Sequence, residues 1–154
     1  MEITLALGGG GAKGNAHIGV LRCLEREEYK VRAVAGTSFG GLVGVLYSLG
    51  YSPKEILAIF ESVDQKTLYG RAPQDGASFL GLAGVRHLLD RVVGDKTFNQ
   101  TRFPCAVTAV DINSGTEVVI NDGSLRDALL ATIALPGIFP VQHFNGWNLI
   151  DGGV

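Results

Sequence analysis

Apolar residues in the first half of the chain occur in short continuous runs that alternate with helical stripes. The runs at residues 3–7 and 31–35 are typical of strands that are covered on both faces. A stripe at roughly residues 15–28 predicts a helix between them, and the run at residues 42–49 predicts a second helix. Strands that alternate with helices in this way favour a parallel sheet flanked by helices.

The middle of the chain predicts two more helices, separated by an irregular segment. The pattern at residues 52–63 combines a serine cap, a proline in the first turn and a capping-box glutamate. A second amphipathic stripe spans residues 82–93. Residues 64–81 show little periodicity, and they are interpreted either as a lid over a site or as an ordinary surface connection.

The last third of the chain is rich in strands. Residues 104–112 and 116–120 predict two strands joined by a turn, and residues 124–134 predict a serine-capped helix. Residues 141–150 predict a hairpin with a two-residue turn. We therefore predict an α/β fold in a single domain over residues 1–154. Its expected architecture is three-layer α/β/α, with a mostly parallel central sheet and antiparallel additions.

Composition narrows the classes of protein and of partner. The 154 residues are 46% hydrophobic and 18% charged, as expected of a globular domain. The net charge of −2 and the lack of a basic stripe argue against a nucleic-acid partner. No run approaches the ~20 apolar residues that span a bilayer, and no signal peptide is predicted. Cys23 and Cys105 lie inside apolar patterns and are predicted to be free buried thiols, which fits a cytoplasmic location.

Glycine is the unusual feature of the composition. The chain has 22 glycines, including a continuous run at residues 8–11 between a predicted strand and a predicted helix. Gly9, Gly11 and Gly14 satisfy the G-x-G-x-x-G dinucleotide fingerprint. However, the acidic residue that would bind ribose is missing from the end of the next strand, which argues against nucleotide binding. Consecutive glycine N–H groups at a helix start also suit an oxyanion hole, and a tight turn that binds nothing is the third interpretation.

Residues 36–40 form a second glycine-rich turn, with the pattern G-x-S-x-G between a predicted strand and a predicted helix. In this context the pattern is typical of a nucleophile elbow, in which a strained turn exposes a serine hydroxyl above the sheet edge. We predict that Ser38 is the nucleophile and that Gly36 and Gly40 let the chain pass close by. The alternative is a glycine-rich turn with a solvated serine.

A nucleophilic serine needs a proton acceptor, and the sequence offers three histidines and one well-placed aspartate. His17 is interpreted as a packed or capping residue, and His87 as a surface residue. His143, in a hairpin strand, is the best histidine candidate. Asp151 ends an apolar strand and precedes two glycines, which places a carboxylate at the sheet edge unless it is a plain turn aspartate.

Taken in order, these motifs resemble those of the patatin-like phospholipase family, especially its bacterial members. The resemblance covers the whole chain, and the blocks together are far more specific than any one motif. The matching segments are residues 9–14, 17–21, 36–40, 109–115, 134–140 and 151–153.

The resemblance implies a serine-aspartate dyad, in which Ser38 is the nucleophile and Asp151 accepts its proton and later activates water. It also implies an oxyanion hole in the glycine turn. There, Lys13 holds the loop, attracts an anionic head group or is simply solvated. The implied reaction is hydrolysis of a lipid acyl ester through an acyl-enzyme, without a metal or a cofactor. The residues assigned to the hole are Gly9, Gly10, Gly11, Ala12, Lys13 and Gly14.

The implied substrate is a lipid or another acyl ester, and the expected location is the cytoplasm with peripheral contact to a membrane surface. Residues around Phe60, Phe79 and Leu80 are candidates for an acyl groove or for ordinary core packing. Two rival functions stay open: acyl transfer from the same acyl-enzyme, and a non-catalytic module that binds lipid or nucleotide. Family domains usually continue well past the D-G-G motif, so we expect this domain to be truncated at Val154.

Overall fold

In the computed structural model, the described residues are 1–64, 68–71, 73 and 78–154, and they form a mixed sheet with helices. Part of the irregular segment at residues 64–81 lies outside the described residues. Short 3₁₀ turns at Gly11–Asn15 and Phe98–Gln100 precede the first helix and the third strand. The strands are β1 (Glu2–Leu7), β2 (Lys30–Thr37), β3 (Cys105–Asp111), β4 (Glu117–Ile120), β5 (Gln142–Phe144) and β6 (Trp147–Asp151). The helices are α1 (Ala16–Arg26), α2 (Phe39–Leu49), α3 (Pro53–Glu61), α4 (Ala83–Val92) and α5 (Leu125–Thr132).

The sheet combines a parallel part with antiparallel additions. Strands β1, β2 and β3 are parallel neighbours, and β4 pairs with β3 in the antiparallel direction. Strand β6 is antiparallel to β3, and β5 is antiparallel to β6. In the described part of the chain, β1, β2, β3 and β5 therefore run in one direction and β4 and β6 in the other. The expected α/β class with a mostly parallel sheet is confirmed.

The core lies on one face of the parallel strands. The strand register places Leu7, Val34 and Val107 on that face, where they are buried beneath α2. The alternate residues point the other way, and among them Ala6 and Ala35 are exposed. The prediction that β1 and β2 are covered on both faces is therefore wrong for the described part of the chain. Right-handed crossovers between neighbouring parallel strands put the connecting helices on the same face, which accounts for the packing of α1 and α2 on one side.

Several local predictions are confirmed. The Ser52 hydroxyl accepts the Glu55 N–H while the Glu55 carboxylate accepts the Ser52 N–H, so the capping box of α3 is complete. Asn145 and Gly146, at φ 47° and 83°, form the tight turn between β5 and β6. These elements follow from chemistry within a few residues, which explains why the sequence predicts them.

The two cysteines differ from the expectation. Both are free thiols and Cys105 is buried, as predicted, but the prediction that Cys23 is buried is wrong. Cys23 lies on the outer side of α1, where the apolar neighbours in the sequence point elsewhere because a helix turns by about 100° per residue. Among the described helices, none is both long enough and apolar enough to cross a membrane.

Candidate active site

The site forms where two strands meet end to end. The last pairing of β2 joins Thr37 to Thr108, and the last pairing of β6 joins Asp151 to Ala109. Strand β4 pairs with residues 107–110 of β3, a stretch that includes residues paired with β2 and residues paired with β6. Strands β2 and β6 must therefore share the other edge of β3. They run toward one another, and their carboxyl ends meet between two consecutive residues of β3. Ser38, which follows β2 directly, is thereby brought beside Asp151.

Ser38 occupies a strained turn between β2 and α2. Its φ of 54° and ψ of −125° place a non-glycine residue in a sparsely populated region, at a cost of about 1–3 kcal/mol. A Cβ on Gly36 would lie 2.5 Å from the Gly40 carbonyl oxygen, and a Cβ on Gly40 would overlap the Leu7 carbonyl oxygen. The G-x-S-x-G pattern is therefore needed here because backbone segments pass in direct contact on both sides of the serine.

The Ser38 hydroxyl donates a hydrogen bond to Asp151, with 2.6 Å between Oγ and Oδ2. The other carboxylate oxygen of Asp151 accepts the Gly153 N–H at 2.7 Å, and the Asp151 N–H donates to the Ala134 carbonyl oxygen at 2.9 Å. Asp151 is 2% exposed. The carboxylate is thus fixed in orientation, shielded from water and within proton-transfer distance of the serine.

The histidines lie elsewhere. His143 is exposed, and its Nδ1 contacts the Asn148 side chain across the β5–β6 hairpin. His87 is exposed on α4, as predicted. The His17 Nε2 is 2.9 Å from the carbonyl oxygen of Gly8, so this side chain ties α1 to the glycine turn. Among these candidates and Asp151, the group that contacts the Ser38 hydroxyl is the aspartate.

The glycine turn lies against the serine. A Cβ on Gly9 would be 3.4 Å from the Ser38 Cβ. Gly10 and Gly11 have positive φ values of 146° and 54°, a conformation that leads directly into the 3₁₀ turn. The first hydrogen bond of that turn runs from the Lys13 N–H to the Gly10 carbonyl, at 3.2 Å. The N–H groups of Gly11 and Ala12 precede this bond and so have no partner within the turn.

Two other residues of the glycine turn differ in their surroundings. Gly14 is buried against Phe39, and a Cβ at this position would overlap the Phe39 ring. The Lys13 side chain is exposed. The sequence could not decide between a nucleotide site, an oxyanion hole and an inert turn. The position of Gly9 next to Ser38 ties this turn to the serine.

An apolar cavity of about 470 Å³ opens beside Ser38. Its walls come from the glycine turn, α2, α3, α4 and the segment that follows α5. Along α2, Phe39, Leu42 and Leu46 form one side, and they lead away from Ser38 at helical spacing. The other lining residues are Gly11, Ala12, Asn15, Ile59, Phe60, Val63, Leu68, Tyr69, Leu80, Leu82, Val85, Leu88, Leu89, Val92, Ile133, Leu135, Ile138 and Phe139.

The expected groove residues are partly found in this lining. Phe60 and Leu80 border the cavity, whereas Phe79 is 80% exposed and does not. Leu135 and Ile138 both border the cavity and are exposed at the surface, so the apolar lining continues outward there. The Phe79 N–H donates to the carbonyl of residue 137, which places Phe79 next to that exposed surface.

The described part of the chain shows no cluster of metal-binding side chains. There, no three or more side chains of His, Cys, Asp or Glu converge as a metal site would require.

Thr132 is a residue of this site that sequence reasoning missed. Its Oγ1 accepts the Ser38 N–H at 2.8 Å and donates to the Thr108 carbonyl oxygen at 2.6 Å. The contact spans 94 positions in sequence, so no local motif points to it. The available signal was a hydroxyl in an otherwise apolar helix end, Leu129 to Ile133, where a buried polar group needs a partner.

Comparison with known proteins identifies the family. The model of the family described as "Patatin-like phospholipase" matches residues 5–154. This chain belongs to the patatin-like phospholipase family. Its membership agrees with the resemblance that the sequence motifs carry.

Relatives and a solved structure agree with this assignment. An uncharacterized NTE family protein of Mycobacterium tuberculosis is 34% identical over 156 residues, which cover 99% of this chain and 43% of that protein. Lysophospholipase NTE1 of Saccharomyces cerevisiae is 30% identical over 164 residues, which cover 98% of this chain and 9% of that protein. The chain thus spans less than half the length of these curated relatives.

The crystal structure of VipD from Legionella pneumophila has the same fold. It superposes with a TM-score of 0.80 at 14% identity, over 98% of this chain and 46% of VipD. At this identity the likeness supports the fold alone.

Proposed function

We propose that this chain hydrolyses acyl esters of lipids, as a patatin-like lipid hydrolase with Ser38 as nucleophile and Asp151 as base. The observation that carries the proposal is the 2.6 Å hydrogen bond from the Ser38 hydroxyl to Asp151 beside an apolar cavity. Family membership supports the reaction class, and the name of the yeast relative, a lysophospholipase, supports a lipid ester as substrate.

In the proposed mechanism, Ser38 Oγ attacks the ester carbonyl carbon while its proton passes to Asp151 Oδ2. The tetrahedral intermediate collapses, the carbon–oxygen bond of the ester breaks, and the leaving alcohol takes the proton from Asp151. Water then attacks the acyl-enzyme and gives a proton to the same carboxylate. Breakdown of the second intermediate releases the fatty acid and returns the proton to Ser38.

The proposed oxyanion hole uses the start of the 3₁₀ turn. The N–H groups of Gly10, Gly11 and Ala12 supply donors for the developing alkoxide, since those of Gly11 and Ala12 have no partner within the turn. Gly9 keeps the turn close to the serine, and His17 fixes its first carbonyl. Removing one such donor typically costs about 10²–10³ in kcat.

The cavity is the proposed site of the acyl chain. Apart from its opening near Ser38, it is lined almost entirely by aliphatic and aromatic side chains, and burial of an alkyl chain there is favoured by the hydrophobic effect. Lys13 adds an exposed positive charge on the turn that borders the cavity, which suits a phosphate head group.

The test is a probe and kinetic experiment on Ser38→Ala. We expect fluorophosphonate labelling to disappear and p-nitrophenyl ester hydrolysis to fall by about 10³-fold or more, because the acyl-enzyme cannot form. Ser62→Ala is the matched control: its exposed hydroxyl only donates to a carbonyl of its own helix, so activity should be unchanged. Undiminished hydrolysis by Ser38→Ala would reject the proposal.

Peripheral contact with a lipid surface is part of the proposal. Phe79, Leu135 and Ile138 form an exposed apolar surface that continues into the cavity, so a lipid surface in contact with it would face the site. Ile138→Asn should weaken co-sedimentation with phosphatidylcholine vesicles. Ile112→Asn, which changes a similarly exposed isoleucine away from the cavity, should bind as wild type does. Equal binding of all three proteins would contradict a role for this surface.

A further inference from the structure

We infer that Thr132 is a positioning residue that holds the nucleophile turn, residues 36–40, through its side-chain hydroxyl. The inference rests on the proposed role of Ser38 and extends it to a residue outside the serine and glycine turns. It follows from the way β2 and β6 share one edge of β3.

The end-to-end meeting of these strands leaves backbone groups to be satisfied. Beyond Thr37 the chain no longer pairs with β3, since Ser38 turns sharply into α2. The Ser38 N–H therefore lies just beyond the last strand pairing, at the start of the turn that carries the serine. A buried N–H group without a partner is strongly unfavourable, so the turn needs an acceptor from another element.

Thr132 provides this acceptor from the last residue of α5. The distance from the Ser38 N–H nitrogen to Thr132 Oγ1 is 2.8 Å, and Thr132 is fully buried. Water therefore does not reach this hydroxyl. The hydroxyl replaces the sheet carbonyl that a longer β2 would have used.

The direction of this hydrogen bond is fixed by a second one. A hydroxyl has one proton, and that of Thr132 goes to the Thr108 carbonyl oxygen, at 2.6 Å. Its lone pairs are thus left for the Ser38 N–H. One hydroxyl therefore links α5, the middle of β3 and the nucleophile turn.

Ser38 is consequently held at three points. Its N–H is bound by Thr132, its carbonyl accepts the Leu42 N–H at 3.1 Å, and its hydroxyl is bound by Asp151. The first two contacts fix the strained backbone, and the third aims the hydroxyl. Loss of the Thr132 contact should let the turn relax and move Ser38 Oγ away from its attacking position.

The experiment compares Thr132→Val, which keeps the shape and removes the hydroxyl, with Thr132→Ser, which keeps the hydroxyl. We expect Thr132→Val to lower kcat by about 100-fold with an unchanged KM, because small misplacements of a reacting group cost this much. Thr132→Ser should stay within a few-fold of wild type. Thr101→Val is the matched control, since its hydroxyl donates to the Phe98 carbonyl in the turn before β3 and also contacts Cys105, and neither contact involves Ser38.

If Thr132→Val does not fold, Thr132→Ser and Thr132→Ala provide the comparison, since they differ only in the hydroxyl. Equal kcat values in that pair, or a kcat of Thr132→Val within two-fold of wild type, would overturn the inference. A loss shared equally by the Ser, Ala and Val variants would assign the effect to packing at this position rather than to the hydroxyl, and would also overturn it. Activity retained by Ser38→Ala would instead reject the proposed function itself.

Discussion

Two buried aspartates end neighbouring strands of the sheet, and they differ in what binds them. Asp111 ends β3 and is 3% exposed, and Asp151 ends β6 and is 2% exposed. Asp111 accepts the N–H and the hydroxyl of Ser114, at 3.0 and 2.8 Å, and the Asn148 N–H at 3.2 Å. Asp151 accepts one backbone N–H and the hydroxyl of Ser38.

Burial and position at a strand end do not distinguish a structural carboxylate from a candidate base. The hydrogen-bond donors that contact each carboxylate do distinguish them. Every donor to Asp111 belongs to the β3–β4 turn or to β6, so its bonds close a turn and attach one strand to another. The Ser38 hydroxyl instead lies on a strained turn beside an apolar cavity, where it can give up its proton to Asp151 during attack on a substrate.

The largest expected effect is that of Asp151→Asn. The amide keeps the size of the carboxylate and can still accept the Gly153 N–H, but it is not a base. We expect kcat for ester hydrolysis to fall by about 10²–10⁴-fold. Thermal melting measured alongside should show that the protein remains folded.

Two controls sharpen this prediction. Asp111→Asn makes the same chemical change at the other buried strand end and should leave the activity of the folded protein within a few-fold of wild type. His143→Ala removes the best histidine candidate and should be nearly silent. An inactive His143→Ala together with an active Asp151→Asn would reverse the assignment of the base.

The contrast also shows what the sequence can predict here. Both aspartates end an apolar strand and precede a turn with glycine, so local pattern treats them alike. The serine turn, the glycine turn, the capping box and the hairpin depend on chemistry within a few residues, and the sequence predicts all four. The family resemblance, rather than the pattern alone, favoured Asp151.

The sequence could not predict the register in which β2 and β6 pair with β3. Ser38 meets Asp151 because Thr37 and Asp151 pair with consecutive residues of β3, a relationship between segments 113 positions apart. Thr132 is hidden for the same reason. The exposure of Cys23 depends on which side of α1 faces α3, which its apolar neighbours alone do not determine.

The second prediction concerns the stability effect of Asp111→Asn. The hydrogen bond from the Ser114 hydroxyl is the main reason that the pKa of Asp111 lies below its usual value. Burial raises this pKa, and the backbone N–H groups of Asn148, Ser114 and Asn113 lower it further. Since the folded-state pKa is lowered, the ionised carboxylate stabilises the fold at pH values above its unfolded pKa of about 4. This contribution is lost as the pH falls through the folded-state pKa.

The expected result is therefore a pH-dependent difference in melting temperature. Asp111→Asn should melt several degrees below wild type at neutral pH, and the gap should shrink in acid, where the wild-type carboxylate becomes protonated. Melting curves measured from about pH 7 down to about pH 3 test this. A gap that stays constant or widens in acid would show that the carboxylate charge is not what stabilises the turn.

The smallest expected effect is that of Ser114→Ala. It removes the hydroxyl bond to Asp111 and the long bond, 3.3 Å, that the hydroxyl accepts from the Thr116 N–H, and it leaves the backbone N–H of Ser114 in place. The folded-state pKa of Asp111 should rise toward its usual value, so acid unfolding should begin at a slightly higher pH than in wild type. The loss in melting temperature at neutral pH should be smaller than that of Asp111→Asn.

A double-mutant cycle tests whether the Ser114 hydroxyl acts through the carboxylate. Once Asp111 is Asn, Ser114→Ala should have a smaller effect than in wild type, because the charge that the hydroxyl supports is gone and only the long Thr116 bond is lost. If Ser114→Ala lowered the melting temperature equally in both backgrounds, the hydroxyl would stabilise the turn independently of the carboxylate. Ester hydrolysis should be unaffected, since none of these bonds reaches Ser38 or Asp151.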